Sequence, residues 1–177
     1  MIAQARAVPG LRLEELRSMI RAVSPWHDWR AARDLAGRLR DIRPDVVHTH
    51  SSKAGILGRQ AAAWGCPQAL VIHTIHGLPF YADQSSLTRC LYVWLERRAA
   101  RRTDRLISVC DAMTEEAASF HIAPREKFFT VYSGMEVEKF LRPEEPVARV
   151  RERHGLPAEA TVIVKVSRLF HRKGHAD

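Results

Sequence analysis

Between residues 43 and 132 the chain alternates short apolar runs with longer helical ones, and this alternation constrains the fold more than any other feature. The short runs, rich in Val and Ile, fall at residues 45–50, 69–74, 105–109 and 128–132. Helical stretches lie between them: 54–64, stopping at Gly65; 86–103; and a third, which Asp111 is placed to cap, running to His121. Pro44 discourages a preceding helix from continuing into the first run. Short, nearly all-apolar strands separated by helices predict an α/β fold, a parallel sheet covered on both faces. Right-handed crossovers then bring every strand's C-terminal end to one edge, where ligands bind in such sheets.

Upstream, residues 11–23 and 26–41 have helical apolar spacing, through Leu13, Leu16 and Ile20, and through Trp29, Ala32, Leu35, Ala36 and Leu39. Downstream of Phe140, Arg142, Pro143, Glu144, Glu145 and Pro146 make a charged, proline-punctuated linker, followed by a short helix to His154. A new strand is expected over 161–166, and a basic glycine turn follows it. The expected organisation is one domain over residues 1–141, a linker and short helix over 142–160, and the start of a second domain over 161–177.

With 46% hydrophobic and 27% charged residues, the chain of 177 residues has the composition of a globular protein and not of a disordered one. Lys and Arg number 28 against 20 Asp and Glu, a net charge of +8, which favours anionic partners. Solvated helix faces are the competing explanation of that charge. Cys66, Cys90 and Cys110 are odd in number and form no CxxC pair, so neither a disulfide framework nor a zinc site is expected. The longest apolar run, 160–166, is far below the roughly 20 residues of a membrane span. No signal-type N-terminus is seen, and a cytoplasmic location is expected.

Four clusters carry candidate chemistry. His48 and His50 are two apart on the first strand and share a face, with His50 at its C-terminal end. Ser51, Ser52 and Lys53 then open a helix whose first amides attract anions. Without a third ligand nearby no metal is expected there, and His48 reads as a buried, hydrogen-bonded structural residue. On the second strand, His73 and His76 precede Gly77, Leu78, Pro79 and Phe80. His76 falls on the same predicted edge as His50, where an imidazole can bond a sugar hydroxyl or move a proton near neutral pH. Gly77 either lets a ligand approach the backbone or supplies a positive φ. The third cluster holds Arg168, His171, Arg172 and Lys173 around Gly174, a grouping suited to a diphosphate, with a solvated basic turn as the alternative. In the fourth, Arg97 and Arg101, and Arg98 and Arg102, are i,i+4 neighbours on one helix. That face suits an anionic membrane surface or RNA phosphates, unless Trp94 and Leu95 pack inward and leave the arginines wet.

Read together, these stretches resemble the family-4 glycosyltransferases of the GT-B fold. The resemblance is carried by residues 43–50 (RPDVVHTH), 52–59 (SKAGILGR), 73–77 (HTIHG), 96–100 (ERRAA), 104–109 (DRLISV), 132–136 (YSGME) with Phe140, and Ser167, Arg168 and Leu169 followed by Lys173 and Gly174. It implies two Rossmann-like domains facing a cleft: a sheet domain binding acceptor, and a second, of which only the first strand is expected here, binding a nucleotide sugar. It further implies a retaining transfer from a nucleoside-diphosphate sugar to a hydroxyl acceptor, lipid-linked or saccharide, with no cofactor and no obligatory metal. His76 resembles the family's active-site histidine, Arg168 and Lys173 the pair that grips the donor diphosphate, and His50, Ser51 and Gly77 lie on the expected cleft edge. Arg97, Arg98, Arg101 and Arg102 are expected to face an anionic membrane surface; no nucleic-acid partner is expected. The family's glycine-rich loop and its donor-side paired glutamates are not found, so the chain alone is expected to be inactive. A basic non-catalytic module and a nucleotide-sugar epimerase are the alternatives.

Overall fold

The computed structural model describes residues 2–81, 84–169 and 173–175. Two compact units form, Met1–Ser133 and Gly134–Asp177.

In the first unit a short helix α1 (Ile2–Arg6) precedes α2 (Pro25–Ile42), which opens with proline at its first turn. That position is tolerant because the first N–H groups of a helix have no partner within it. α2 ends where Arg43 turns left-handed, φ 51°, with its N–H on Leu39 O. Then follow β1 (Val46–His50), α3 (Ser52–Gly65), β2 (Leu70–Ile75), α4 (Ser86–Ala100), β3 (Arg105–Ser108), α5 (Asp111–Ser119) and β4 (Phe128–Thr130). All three strand pairs are parallel, and the sheet order is β1-β2-β3-β4.

An order that steps always in one direction, with right-handed crossovers, puts α3, α4 and α5 on one face of the sheet. The register shows the consequence. Thr49 pairs with His73, His73 with Leu106 and Leu106 with Phe128, and all four are buried. Around this row Ile75, Phe80, Val93, Ala100, Ala117 and Ile122 close the main core. On the opposite face Val46, Leu70 and Phe129 are 49%, 44% and 48% exposed. The expectation of a sheet covered on both faces is therefore met on one.

α3 lies unusually close to its neighbours. A Cβ on Gly55 would stand 2.4 Å from His73 Cε1, one on Gly58 2.8 Å from Thr49 Cγ2, and one on Gly65 2.2 Å from Ala36 O of α2. Three hydrogen side chains thus set how near α3 comes to the sheet and to α2.

Two local expectations are corrected. Residues 11–23 form turns and no helix. Lys53 Nζ, ion-paired with Asp28 at 2.6 Å, bonds the carbonyls of Ile20 and Ala22, which are thereby turned away from helical partners. Asp111 is the first residue of α5 and Cys110 its N-cap; the Asp111 carboxylate instead accepts from the Tyr132 hydroxyl at 2.6 Å.

The second unit contains α6 (Glu138–Leu141) and α7 (Val147–Arg153), the latter opened by Pro146 as the linker composition suggests. No strand forms over 161–166, and Ile163, Val164 and Val166 are 90%, 77% and 92% exposed. A lone extended run has no ladder partner for its N–H and C=O groups, and none lies beside it among the described residues.

Candidate active site

The C-terminal ends of β1 and β2 are adjacent because the two strands pair in register, His50 opposite Thr74. Side chains two apart on β1 share a face, so His48 and His50 stack, with ring centroids 4.3 Å apart. The chain leaving β2 brings His76 against them. His50 Nδ1 lies 3.0 Å from His76 Nε2, and His48 Nε2 lies 2.8 Å from Thr74 Oγ1. His48 is exposed and not buried as expected, since strand alternation gives the helix-covered face to Thr49. It is nonetheless hydrogen-bonded.

His76 opens onto a cavity of about 260 Å³ whose lining includes Ser51, Ser52, Thr74, Gly77 and Glu96. Ser51 is the N-cap of α3 and holds φ 64°, ψ 155°, a region that is nearly glycine's alone. Its hydroxyl does not cap the helix, and the first intrahelical bond from an α3 amide is Gly55 N–H to Ser51 O. The α3 amides before Gly55 therefore have no partner within the helix, and Ser51 and Ser52 line the cavity. Lys53, grouped with them in the sequence, is committed to Asp28. Gly77 lines the cavity, has no positive φ, and has open space beside its α-carbon.

Two residues of the site escape a reading of the sequence. Glu96 of α4 reaches the cavity wall, and its Oε2 accepts from Arg59 Nη2 of α3 at 2.8 Å. Both side chains are buried, and Arg59 also donates from Nε to Gly55 O at 3.0 Å. A buried pair of this kind is weak evidence of net stabilisation, but removing one partner strands a charge. Both residues sit inside strings of the family resemblance. Nothing in their separation of 37 positions signals that they meet.

Behind the cavity His73 is 3% exposed and hydrogen-bonded to Thr49. The Thr49 hydroxyl donates to Ile72 O at 3.3 Å, which leaves it to accept Nδ1–H of His73 at 2.9 Å. Burial, then the nearby Arg59 charge, push the His73 imidazole down to about 3, so it is neutral at any ordinary pH. His50 is also held below its usual value, first by burial and then by His48 and His76. Among the described residues no group of three or more His, Cys, Asp or Glu is arranged to hold a metal ion.

Arg97 and Arg98 in the last turn of α4, Arg101 at its C-cap and Arg102 beyond it do not form one helix face. Arg97 donates from Nε and Nη2 to Phe120 O, at 3.1 and 2.9 Å, and so ties down the C-terminal end of α5. Arg98 lies over the Trp94 ring at 6.0 Å, Arg101 is exposed and Arg102 half-buried. Trp94 does not pack inward: it is 56% exposed, in a stripe with Leu87 and Leu91 at 85% and 53%. No helix among the described residues is long and apolar enough to cross a membrane. Arg168 and Lys173 lie exposed in the second unit, where Gly174 takes φ 62° and Ser167 Oγ is 2.9 Å from His175 Nε2. Phe170, His171 and Arg172 of that turn fall outside the described residues.

Comparison with known proteins adds independent findings. The family model described as glycosyl transferase 4-like domain matches residues 3–134. Over 158 residues the chain is 34% identical to the UDP-Gal:alpha-D-GlcNAc-diphosphoundecaprenol alpha-1,3-galactosyltransferase of Escherichia coli, covering 88% of this chain and 40% of that protein. It is 31% identical over 133 residues to the D-inositol 3-phosphate glycosyltransferase of Thermobispora bispora, covering 72% of this chain and 30% of the relative. The alpha-maltose-1-phosphate synthase of Mycolicibacterium smegmatis is 26% identical over 135 residues, 74% of this chain and 35% of the relative. The chain thus spans well under half the length of these relatives. A four-stranded parallel sheet of Rossmann-like build, a histidine-edged cavity at its C-terminal edge and a match over most of the chain converge: the chain belongs to the glycosyl transferase 4-like domain family.

Proposed function

We propose that the chain is the acceptor-side part of a retaining glycosyltransferase, which moves a sugar from a nucleoside-diphosphate donor to a hydroxyl of a lipid-linked or polysaccharide acceptor. The observation that carries this reading is the exposed His76 at the mouth of a cavity, backed by the free α3 amides and by the fixed Glu96 carboxylate. An imidazole and unpaired amides at that edge can hydrogen-bond sugar hydroxyls and orient the acceptor against the donor. The domain organisation that goes with this is an acceptor domain over residues 1–141, a linker over 142–160 and the start of the donor domain from 161. In it Arg168 and Lys173 neutralise the diphosphate as it departs, where charge develops in the transition state, without an obligatory metal. The names of the relatives support donor and acceptor classes of this kind, UDP-Gal and a diphosphoundecaprenol-linked sugar for the Escherichia coli protein.

The proposed place of action is the cytoplasmic face of a membrane. The outer stripe of α4, Leu87, Leu91 and Trp94, continues into Arg98, Arg101 and Arg102, an apolar-then-basic surface suited to anionic lipid. Arg97 is excluded from that surface role by its bonds to Phe120 O.

The test is release of nucleoside diphosphate by the full-length protein, offered a panel of sugar donors, with His76→Ala and Lys173→Ala beside the wild type. Both variants are expected to lose release by at least about 100-fold, the low end for a group acting directly on the transition state. Unchanged release in His76→Ala would move the site away from this cavity. Turnover by the 177-residue chain alone would refute the division of labour between the two domains.

A further inference from the structure

His50 and His76 are both exposed, but only His76 lines the cavity. His50 stands outside the lining, with its ring nearly parallel to that of His76, at 28° and a centroid separation of 5.3 Å. On its other side is His48, tilted 39° and fastened to Thr74. Three imidazoles from two paired strands therefore form a file that ends at the cavity, and a hydrogen bond of 3.0 Å joins the last two.

A hydrogen bond between two imidazole nitrogens requires a proton on one and a lone pair on the other. If His50 Nδ1 donates, His76 Nε2 is bare and its proton sits on Nδ1. If His76 donates, its Nε2 carries the proton and its Nδ1 is a bare acceptor. In both cases the tautomer of His76 is tied to that of His50, and protonation of both rings on both nitrogens abolishes the contact. We propose that His50 is a positioning residue for His76: its Nδ1 occupies His76 Nε2, fixing the ring plane, tying its tautomer to that of His50 and leaving Nδ1 as the one His76 nitrogen free to meet a ligand. The inference rests on His76 being the histidine of the site.

The surroundings agree with a pair that is not doubly charged. His48 from β1 and His73 from β2 bring further imidazoles, and among the described residues the nearby carboxylates are paired: Glu96 of α4 is taken by Arg59 of α3, and Asp28 of α2 by Lys53. Burial and the two neighbouring imidazoles hold His50 below its ordinary value, which keeps a second proton off the pair near neutrality.

The experiment is nitrogen-15 NMR of the histidine rings in the 177-residue chain, which reads tautomer and titration without turnover. In wild type His76 Nε2 is expected to show the nitrogen-15 signature of a hydrogen-bonded ring nitrogen near pH 7.5, and His50→Asn, whose amide can donate or accept in place of Nδ1, is expected to keep it. His50→Phe is expected to lose that signature and to shift the His76 tautomer ratio. Independently, His76→Ala is expected to raise the titration midpoint of His50, because one of the charges lowering it is gone. The same tautomer ratio for His76 in wild type and His50→Phe, or a His50 midpoint unmoved by His76→Ala, overturns the proposal. Should either variant fail to fold, the other decides. A negative result here with donor turnover still dependent on His76 would discard the pairing and keep the transferase reading; the reverse result would keep the pairing and discard the reading.

Discussion

His73 shows at the level of one residue how a histidine can be structural among histidines that are not. It lies one strand away from His50, yet it is buried, donates Nδ1–H to the Thr49 hydroxyl and presses its ring edge on Gly55 of α3. Its folded value, about 3, lies below the roughly 6.5 of an exposed imidazole. The unfolded chain therefore takes up a proton first as pH falls. Stability from this group is complete above about pH 6.5 and is lost toward about pH 3, at about 1.4 kcal/mol per pH unit. Unfolding free energies from urea titrations at pH 7.5 and pH 5 should differ by on the order of 2 kcal/mol, and His73→Asn should flatten the difference. An equal slope in both proteins would acquit His73 as the cause.

Among the elements, α3 is the one that most depends on what is missing from its side chains. Alanine normally stabilises a helix interior over glycine by about 1 kcal/mol. At Gly65 the gain is reversed, because the new methyl would meet a backbone carbonyl of α2 that cannot swing aside. Gly65→Ala is expected to cost about 1–3 kcal/mol by overpacking. Gly37→Ala, in α2 with open space around its α-carbon, is expected to stabilise by about 1 kcal/mol. Chemical denaturation of the two variants should give opposite signs; the same sign in both would show that the α2–α3 contact is looser than described. α4 divides its work differently. Its inner side gives Val93, Glu96, Ala99 and Ala100 to the interior, while Leu87, Leu91 and Trp94 remain outside.

For the whole molecule the net charge of +8 becomes a surface question. Several basic groups are already committed inside the fold: Arg59 to Glu96, Lys53 to Asp28, Arg97 to Phe120 O, and Lys127 to Thr103 O at 2.8 Å. Arg98, Arg101 and Arg102 are left beside an apolar stripe. A basic residue near an anionic bilayer contributes about 1 kcal/mol, so neutralising these three should weaken vesicle binding by on the order of 100-fold. Co-sedimentation with anionic vesicles at rising salt reads this directly. Equal binding of wild type to neutral vesicles would leave the stripe without a role for its charge.

What the sequence determined by itself was whatever short-range chemistry decides. The apolar periodicity of the strands and helices from Val46 to Thr130, the stop at Pro44 and Gly65, and the meeting of His50 and His76 at one sheet edge are all legible in order and spacing. The last of these follows because parallel strands joined by right-handed crossovers have their C-terminal ends together. Only tertiary structure decided the rest, because it turns on partners far apart in the chain. Residues 11–23 have helical spacing, but carbonyls drawn to Lys53 keep them in turns. Residues 161–166 have strand composition and no neighbouring strand to complete it. Glu96 became part of the cavity wall and met Arg59 when α3 and α4 closed over the same sheet face, and His48 changed from a buried to an exposed residue when strand alternation assigned that face to Thr49. Periodicity names the face of an element; which face is covered, and by what, depends on the order in which the strands are laid down.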